Sequence, residues 1–325
     1  MTQPDSRPPF VPGPAAAPPY GAAPTSTADV SRETTPWVPP TAVPQPPATV
    51  SRETSTPPPW PRPGRTRVIT VANQKGGVGK TTTTVNLAAS LAQHGLRVLV
   101  VDLDPQGNAS TAFDVTHSRG SASVYDVLLG KQRLDEVVAS VPAIPNLWCV
   151  PATVDLAGAE LELAQMMARE SRLLRALEAE AGGMDYVFID CPPSLGLLTI
   201  NALVAAAEVL IPVQCEFYAL EGLSQLLETI ELAKTHLNNR LAISTILLTM
   251  YDGRTRLADQ VVADVRAHFG PLVLDAVIPR SVRISEAPGF GQTVMTYDRS
   301  SAGAKAYEAA AYDLAVRGTQ RGGPA

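Results

Sequence analysis

The chain has 325 residues, 26 Lys and Arg against 31 Asp and Glu for a formal net charge of −5, and 45% apolar residues. That length and apolar content suit a globular core of one large or two ordinary domains, and the acidic balance excludes a globally basic nucleic-acid binder without excluding a local basic surface. Three cysteines without metal-ligand spacing, no apolar run of transmembrane length and no basic-then-apolar leader lead to the expectation of buried, reduced thiols in a cytoplasmic protein.

Residues 1–65 hold 19 of the 30 prolines and no lysine. Such a segment buries too little apolar surface to offset its chain entropy, so it reads as a disordered tail. Within it Val30-Ser31-Arg32-Glu33-Thr34 recurs as Val50-Ser51-Arg52-Glu53-Thr54, and each copy is followed by proline and a tryptophan, Trp37 or Trp60. The repeat is either neutral duplication or a bivalent docking motif for a polar or cell-division scaffold. Residues 66–317 read as one α/β domain, and 318–325 as a flexible C-terminus.

Inside that domain, Arg67–Asn73, Arg97–Asp104, Leu147–Pro151, Tyr186–Asp190, Val209–Gln214, Ile243–Thr249 and Leu272–Ile278 read as strands. Most are continuous apolar runs, as strands covered on both faces require. Thr83–His94, Ala159–Ala181, Leu220–Leu237 and Leu257–His268 carry apolar residues at helical spacing, with Gly95 and Gly182 at C-terminal cap positions. Ala159–Ala181 is expected to pack on the sheet, with a partner surface as the alternative. The alternation predicts an α/β fold with a doubly wound, mostly parallel sheet, whose ligands bind at the carboxyl ends of the strands.

The first of those ends is Lys75-Gly76-Gly77-Val78-Gly79-Lys80-Thr81-Thr82, a glycine-rich turn between strand and helix. Its backbone N–H groups and the helix N-terminus make a phosphate cradle, Lys80 supplies a point charge for the phosphates, and Thr81 offers a hydroxyl to Mg²⁺. The usual pattern has glycine five positions before Gly79; here Gln74 stands there, followed by a second lysine, Lys75. The second strand ends in Asp102 and Asp104. Asp104 is placed to orient a water, and Asp102 to hold the loop or an outer metal shell; turn capping is the structural alternative. Asp190-Cys191-Pro192-Pro193 ends a further apolar strand in an acid, as in elements that hold Mg²⁺ through water.

Asn73–Thr82, Asp102–Asn108, Asp190–Pro193 and Ile278–Pro288 together resemble the ParA/Soj chromosome-partitioning ATPases of the ParA/MinD superfamily, over nearly all of residues 67–316. The resemblance implies that the doubly wound, mostly parallel sheet is of the P-loop NTPase type, with ATP and Mg²⁺ as cofactors and slow, partner-stimulated hydrolysis. It implies nucleotide binding by Lys75, Gly76, Gly77, Val78, Gly79, Lys80, Thr81 and Thr82, with Lys75 reaching phosphates bound to the other subunit of an ATP-dependent homodimer. It implies that Lys80 holds phosphates, that Asp104 positions the attacking water, and that Thr81, Asp104 and Asp190 serve the metal. It further implies non-specific DNA binding through Arg254 and Arg283, with Arg256, Arg266 and Arg280 widening the patch, and a ParB-type centromere-binding partner at the nucleoid. Three alternatives are weighed: a related ATPase positioning a plasmid, a division-site complex or other cargo, a MinD-like membrane switch, and an iron–sulfur reductase. The glycine-rich residues 315–325 argue against a membrane-binding helix, so no membrane contact is expected. The cysteines, set in or beside strands, argue against a cluster at a dimer axis.

Overall fold

The computed structural model describes residues 59–216 and 223–320. Both copies of the repeated pentapeptide, Trp37 and the bulk of the expected tail lie outside them, as do residues 321–325.

Eight strands form one sheet: β1 (Arg67–Val71), β2 (Val98–Asp102), β3 (Ala139–Ser140), β4 (Leu147–Val150), β5 (Tyr186–Asp190), β6 (Glu208–Gln214), β7 (Ala242–Tyr251) and β8 (Val273–Pro279). Their spatial order is β3-β4-β2-β5-β1-β6-β7-β8, parallel throughout except for the β3–β4 pair. Every residue of β2 and β5 is buried, and the period of two sends neighbours to opposite faces. Val98, Val100, Tyr186 and Phe188 join the core under helices Lys80–Gln93 and Ala302–Gln320, while Leu99, Val101, Val187 and Ile189 join the other. The chain moves to one side of β1 for β2 to β5 and to the other for β6 to β8. Beside β1, the strand ends therefore diverge and leave a crevice, the place where such sheets bind ligands.

Four departures from the sequence reading have identifiable causes. The segment expected as one helix over 159–181 is split into Leu156–Ala164 and Arg172–Glu180, joined by a short turn after Ala168, whose φ is 53°. Asn201 makes the break: its Oδ1 accepts from the Arg172 and Leu173 N–H groups, and its Nδ2 donates to the Arg169 carbonyl. The left-handed residue after that second helix is Gly183, φ 84°, not Gly182.

The C-terminus is helical from Ala302 to Gln320, so residues 318–320 are not a loose end. Ala304, Tyr307, Ala310, Ala311, Leu314 and Ala315 are buried against the sheet, and Gly318 lies so close to Arg67 that a Cβ there would stand 2.7 Å from its Nη1. Arg67 in turn pairs with Glu208 at 2.7 Å and donates to the Leu314 carbonyl, tying two strands to this helix.

Finally, residues 59–65 belong to the domain and not to a tail ending at 65. Trp60 stacks on His94 with ring centroids 3.8 Å apart and meets Tyr312 edge-on at 5.3 Å. Arg62 pairs with Asp185 at 2.9 Å and donates to the Gly95 carbonyl at 2.6 Å. One tryptophan of the repeat is thus taken up by the fold, at the end of helix Lys80–Gln93 remote from the glycine loop, a helix of 14 residues and so about 21 Å long.

Candidate functional site

The glycine loop is braced from three strands. Asn73 donates to the Pro212 carbonyl beyond β1 at 2.8 Å, its Oδ1 accepts from the Lys75 N–H at 3.0 Å, and Thr249 of β7 donates to the Val78 carbonyl at 2.9 Å. Gly77 and Gly79 have φ of 75° and 88°, a region that side chains with a Cβ disfavour, so the backbone turns tightly into helix Lys80–Gln93. The result is a cleft of about 480 Å³ lined by Gly76, Gly77, Lys80, Thr81, Asp104 and Pro193, among others. The two lysines differ sharply. Lys80 is 7% exposed, and burial lowers its pKa against the opposing pull of Asp190. The Lys75 side chain is 36% exposed at the rim, with Nζ 3.6 Å from Glu216 Oε2.

Three acids end or follow the neighbouring strands β2 and β5, and of them Asp104 lines the cleft. Asp102 and Asp190 are register neighbours on β2 and β5 and are both fully buried. Asp102 is a loop brace: Ser110 donates to its Oδ2 through backbone at 2.8 Å and hydroxyl at 2.7 Å, and the Asp104 N–H donates to Oδ1 at 3.3 Å. Asp190 accepts from the Thr84 hydroxyl at 3.1 Å on Oδ1, while its Oδ2 is buried without a hydrogen-bond partner. Burial, reinforced by the Asp102 charge, pushes the Asp190 pKa up. Such an orphaned carboxylate oxygen fits a divalent cation shared with the Thr81 hydroxyl. Among the described residues no three His, Cys, Asp or Glu side chains form a metal cage. Asp104 is nearly buried, its Oδ1 accepting from the Gln106 N–H at 3.0 Å, and it lines the cleft opposite the glycines.

A second cavity adjoins the first, sharing Gly79, Thr82 and Met250. Its volume is about 370 Å³, and Ile278, Pro279, Val282, Ile284 and Tyr307 make it mainly apolar. Part of its wall, Ile278 to Ser285, lies in the stretch Ile278–Pro288 singled out in the sequence, whereas Thr249 and Met250 of β7 and Tyr307 of the C-terminal helix join it only in the fold.

The arginines are only partly gathered. Arg254 stands on the turn after β7 and Arg283 in the short helix Val282–Glu286 after β8, and the two segments are drawn together by the Arg280 N–H donating to the Tyr251 carbonyl at 2.9 Å. Arg254 is highly exposed and bound to Asp252 at 2.6 Å; Arg283 is half-exposed beside Glu286 and Asp298. Arg256 is exposed at the start of helix Arg256–Phe269. Arg280 instead lines the second cavity and pairs with Glu216 at 3.5 Å. Arg266 lies near the far end of its helix, donating to the Asp275 carbonyl at 2.9 Å, and is not part of the group. All three cysteines are buried and unbridged, and burial pushes their thiols up, that of Cys215 to about 11.

Residues 66–243 match a family model described as an AAA domain. The sporulation initiation inhibitor protein Soj of Bacillus subtilis is 52% identical over 252 residues, covering 78% of this chain and 99% of that protein. The chromosome partitioning protein ParA of Caulobacter vibrioides is 51% identical over 257 residues, 78% and 96% of the two chains. This chain belongs to the ParA/Soj family of chromosome-partitioning ATPases. Among solved structures, a protein titled cobyrinic acid a,c-diamide synthase from Mycobacterium smegmatis, with bound ATP analogue and magnesium, is 41% identical with a TM-score of 0.66 over 76% of this chain and 93% of that one. The septum site-determining protein MinD of Pyrococcus horikoshii with Mg-ADP is 27% identical with a TM-score of 0.63, covering 77% and 96%. Among the described residues no helix is long and apolar enough to cross a membrane.

Proposed function

We propose that this chain is an ATP-driven dimerisation switch that holds DNA without sequence preference and partitions chromosomes with a ParB-type partner that triggers hydrolysis. The observation that carries this reading is the division of labour between two lysines of one loop. Lys80 is buried in the cradle and serves the phosphates of its own subunit, whereas Lys75 is far more exposed and its pairing with Glu216 can be exchanged for a polyanion presented from outside. A cation so placed gains most when a facing subunit brings nucleotide phosphates, which makes ATP binding and association one linked equilibrium.

In this reading the Thr81 hydroxyl and the unpaired oxygen of Asp190 would hold Mg²⁺, which would supply neutralisation of developing phosphate charge. Asp104 orients the attacking water and would join the metal's outer sphere. The apolar cavity beside Met250 and Pro279 seats the base. Arg254, Arg256 and Arg283 face the DNA phosphates together, so the acidic whole keeps a basic face. A polar scaffold contact of the N-terminal segment rests on residues outside those described, and Trp60 is not available to it.

Lys75→Ala is expected to keep nucleotide affinity in the monomer and lose the ATP-dependent dimer in sizing chromatography; a dimer of ordinary strength contradicts the role given to Lys75. Arg283→Glu is expected to weaken DNA binding about equally across sequences and to flatten its salt dependence. Loss confined to particular sequences contradicts a phosphate contact.

A further inference from the structure

Glu216 is the residue at this site that neither the motif pattern nor the proposed chemistry uses. It lies just past the end of β6, and its two carboxylate oxygens are divided among three partners. Oε2 faces Lys75 Nζ at 3.6 Å, while Oε1 accepts from Gln214 Nε2 at 2.5 Å and from Arg280 Nη2 at 3.5 Å. The other end of Lys75 is fixed toward the same strand, since its N–H donates to Asn73 and Asn73 donates to the Pro212 carbonyl in β6. Backbone and side chain together therefore lean Lys75 toward β6 rather than outward.

We propose that Glu216 is a positioning residue that restrains Lys75 in the unpartnered subunit, a built-in competitor for the phosphate that Lys75 binds in trans. This deepens the dimerisation reading above and rests on it. The competition is physically balanced. A half-exposed ion pair is worth about a factor of two to five, enough to raise the threshold for association and too little to prevent it. A nucleotide polyphosphate carries more charge than one carboxylate and accepts several hydrogen bonds, so it displaces Glu216 once the facing subunit is loaded. Release leaves no stranded charge, because Arg280 and Gln214 keep the vacated carboxylate company. Arg280 also lines the cavity assigned to the base, so the carboxylate that loses Lys75 is shared with the wall of the base seat.

The test uses the full chain with a slowly hydrolysed ATP analogue and Mg²⁺, and reads the dimer association constant by sedimentation. Both subunits lose the restraint in Glu216→Gln, so the constant is expected to rise about 4- to 25-fold, the square of the single-site factor. Monomer affinity for ADP stays within about twofold, and the gain shrinks at high salt, where the wild-type pair is already screened. Glu216→Asp, which keeps the charge, is expected to fall between the two. A constant that is unchanged or lowered in Glu216→Gln, with a normal unfolding midpoint, overturns the proposal; if that midpoint drops, Glu216→Ser is read in its place with the same expectation. Lys75→Ala separates the two layers: if it dimerises normally, the trans role of Lys75 fails, whereas loss of its dimer with no gain in Glu216→Gln removes only the restraint.

Discussion

The carboxyl ends of β2 and β5 carry acids in register, equally buried and one strand apart, yet the two regions do different work. At the end of β2 the chain turns back on its aspartate. Asp102 receives the backbone and hydroxyl of Ser110, whose oxygen also accepts from the Ala152 N–H at 3.1 Å, so the carboxylate knits the loop to the chain beyond β4. At the end of β5 the chain leaves in Cys191-Pro192-Pro193 and offers the Asp190 carboxylate nothing in return. The prolines lack N–H groups, and the hydroxyls that face the carboxylate, Thr84 at 3.1 Å and Thr81, come from helix Lys80–Gln93. One acid is committed to architecture and the other is left with an oxygen to give to a ligand. The difference lies in the residues that leave each strand, not in the strand itself.

Removing each acid is the sharpest way to break this comparison. Asp190→Ala is expected to lower Mg²⁺-dependent ATP hydrolysis about a hundredfold or more, because the cation loses its protein carboxylate in a water-poor site. Steady-state hydrolysis over a range of Mg²⁺ checks it, and recovery at high Mg²⁺ points to weakened binding rather than misplacement. Asp102→Ala leaves the Ser110 N–H and hydroxyl buried without their acceptor, at a cost of about 2–4 kcal/mol. Its thermal midpoint is expected to drop by several degrees while Mg²⁺ affinity in the folded protein changes little. If Asp102→Ala instead abolishes Mg²⁺ dependence at a normal midpoint, the assignment of the two acids is reversed.

The sequence makes the strands, the glycine loop and the strand-end acids visible because each is a local pattern: a continuous apolar run, a loop of glycines, an Asp closing a strand. It does not rank Asp102 above or below Asp190, since the decision lies with Ser110, eight residues on, and with Thr84 on another element. The second cavity is half hidden for the same reason, since Pro279 belongs to a stretch the sequence singles out but Met250 and Tyr307 join it only in the fold. The C-terminal helix is masked by its alanines, which carry little apolar signal yet pack closely enough for Gly318 to touch Arg67. Trp60 looks like part of a proline-rich tail until His94 and Tyr312, far along the chain, are seen beneath it. Of the arginines, position after β7 and β8 is legible, whereas the capture of Arg280 by Glu216 and of Arg266 by a strand carbonyl is not.

The smallest expected effect is on pH dependence, and it tests whether the two acids strain one another when no ligand is bound. Burial and the Asp102 charge raise the Asp190 pKa, so between the ordinary carboxylate range and that raised value the folded protein holds a proton that the unfolded chain has lost. Native proton binding exceeds unfolded binding there, and stability must fall as pH rises through the window, by about 1.4 kcal/mol per pH unit from this group. Asp190→Asn removes the titration along with the repulsion. Nucleotide-free Asp190→Asn is therefore expected to show a flatter dependence of unfolding free energy on pH than the wild type and to be the more stable of the two near neutral pH, although it hydrolyses poorly. Parallel curves, measured by denaturant titration at several pH values, mean that the Asp190 carboxylate is solvated or paired after all, and with that the unpaired oxygen loses its claim on the metal.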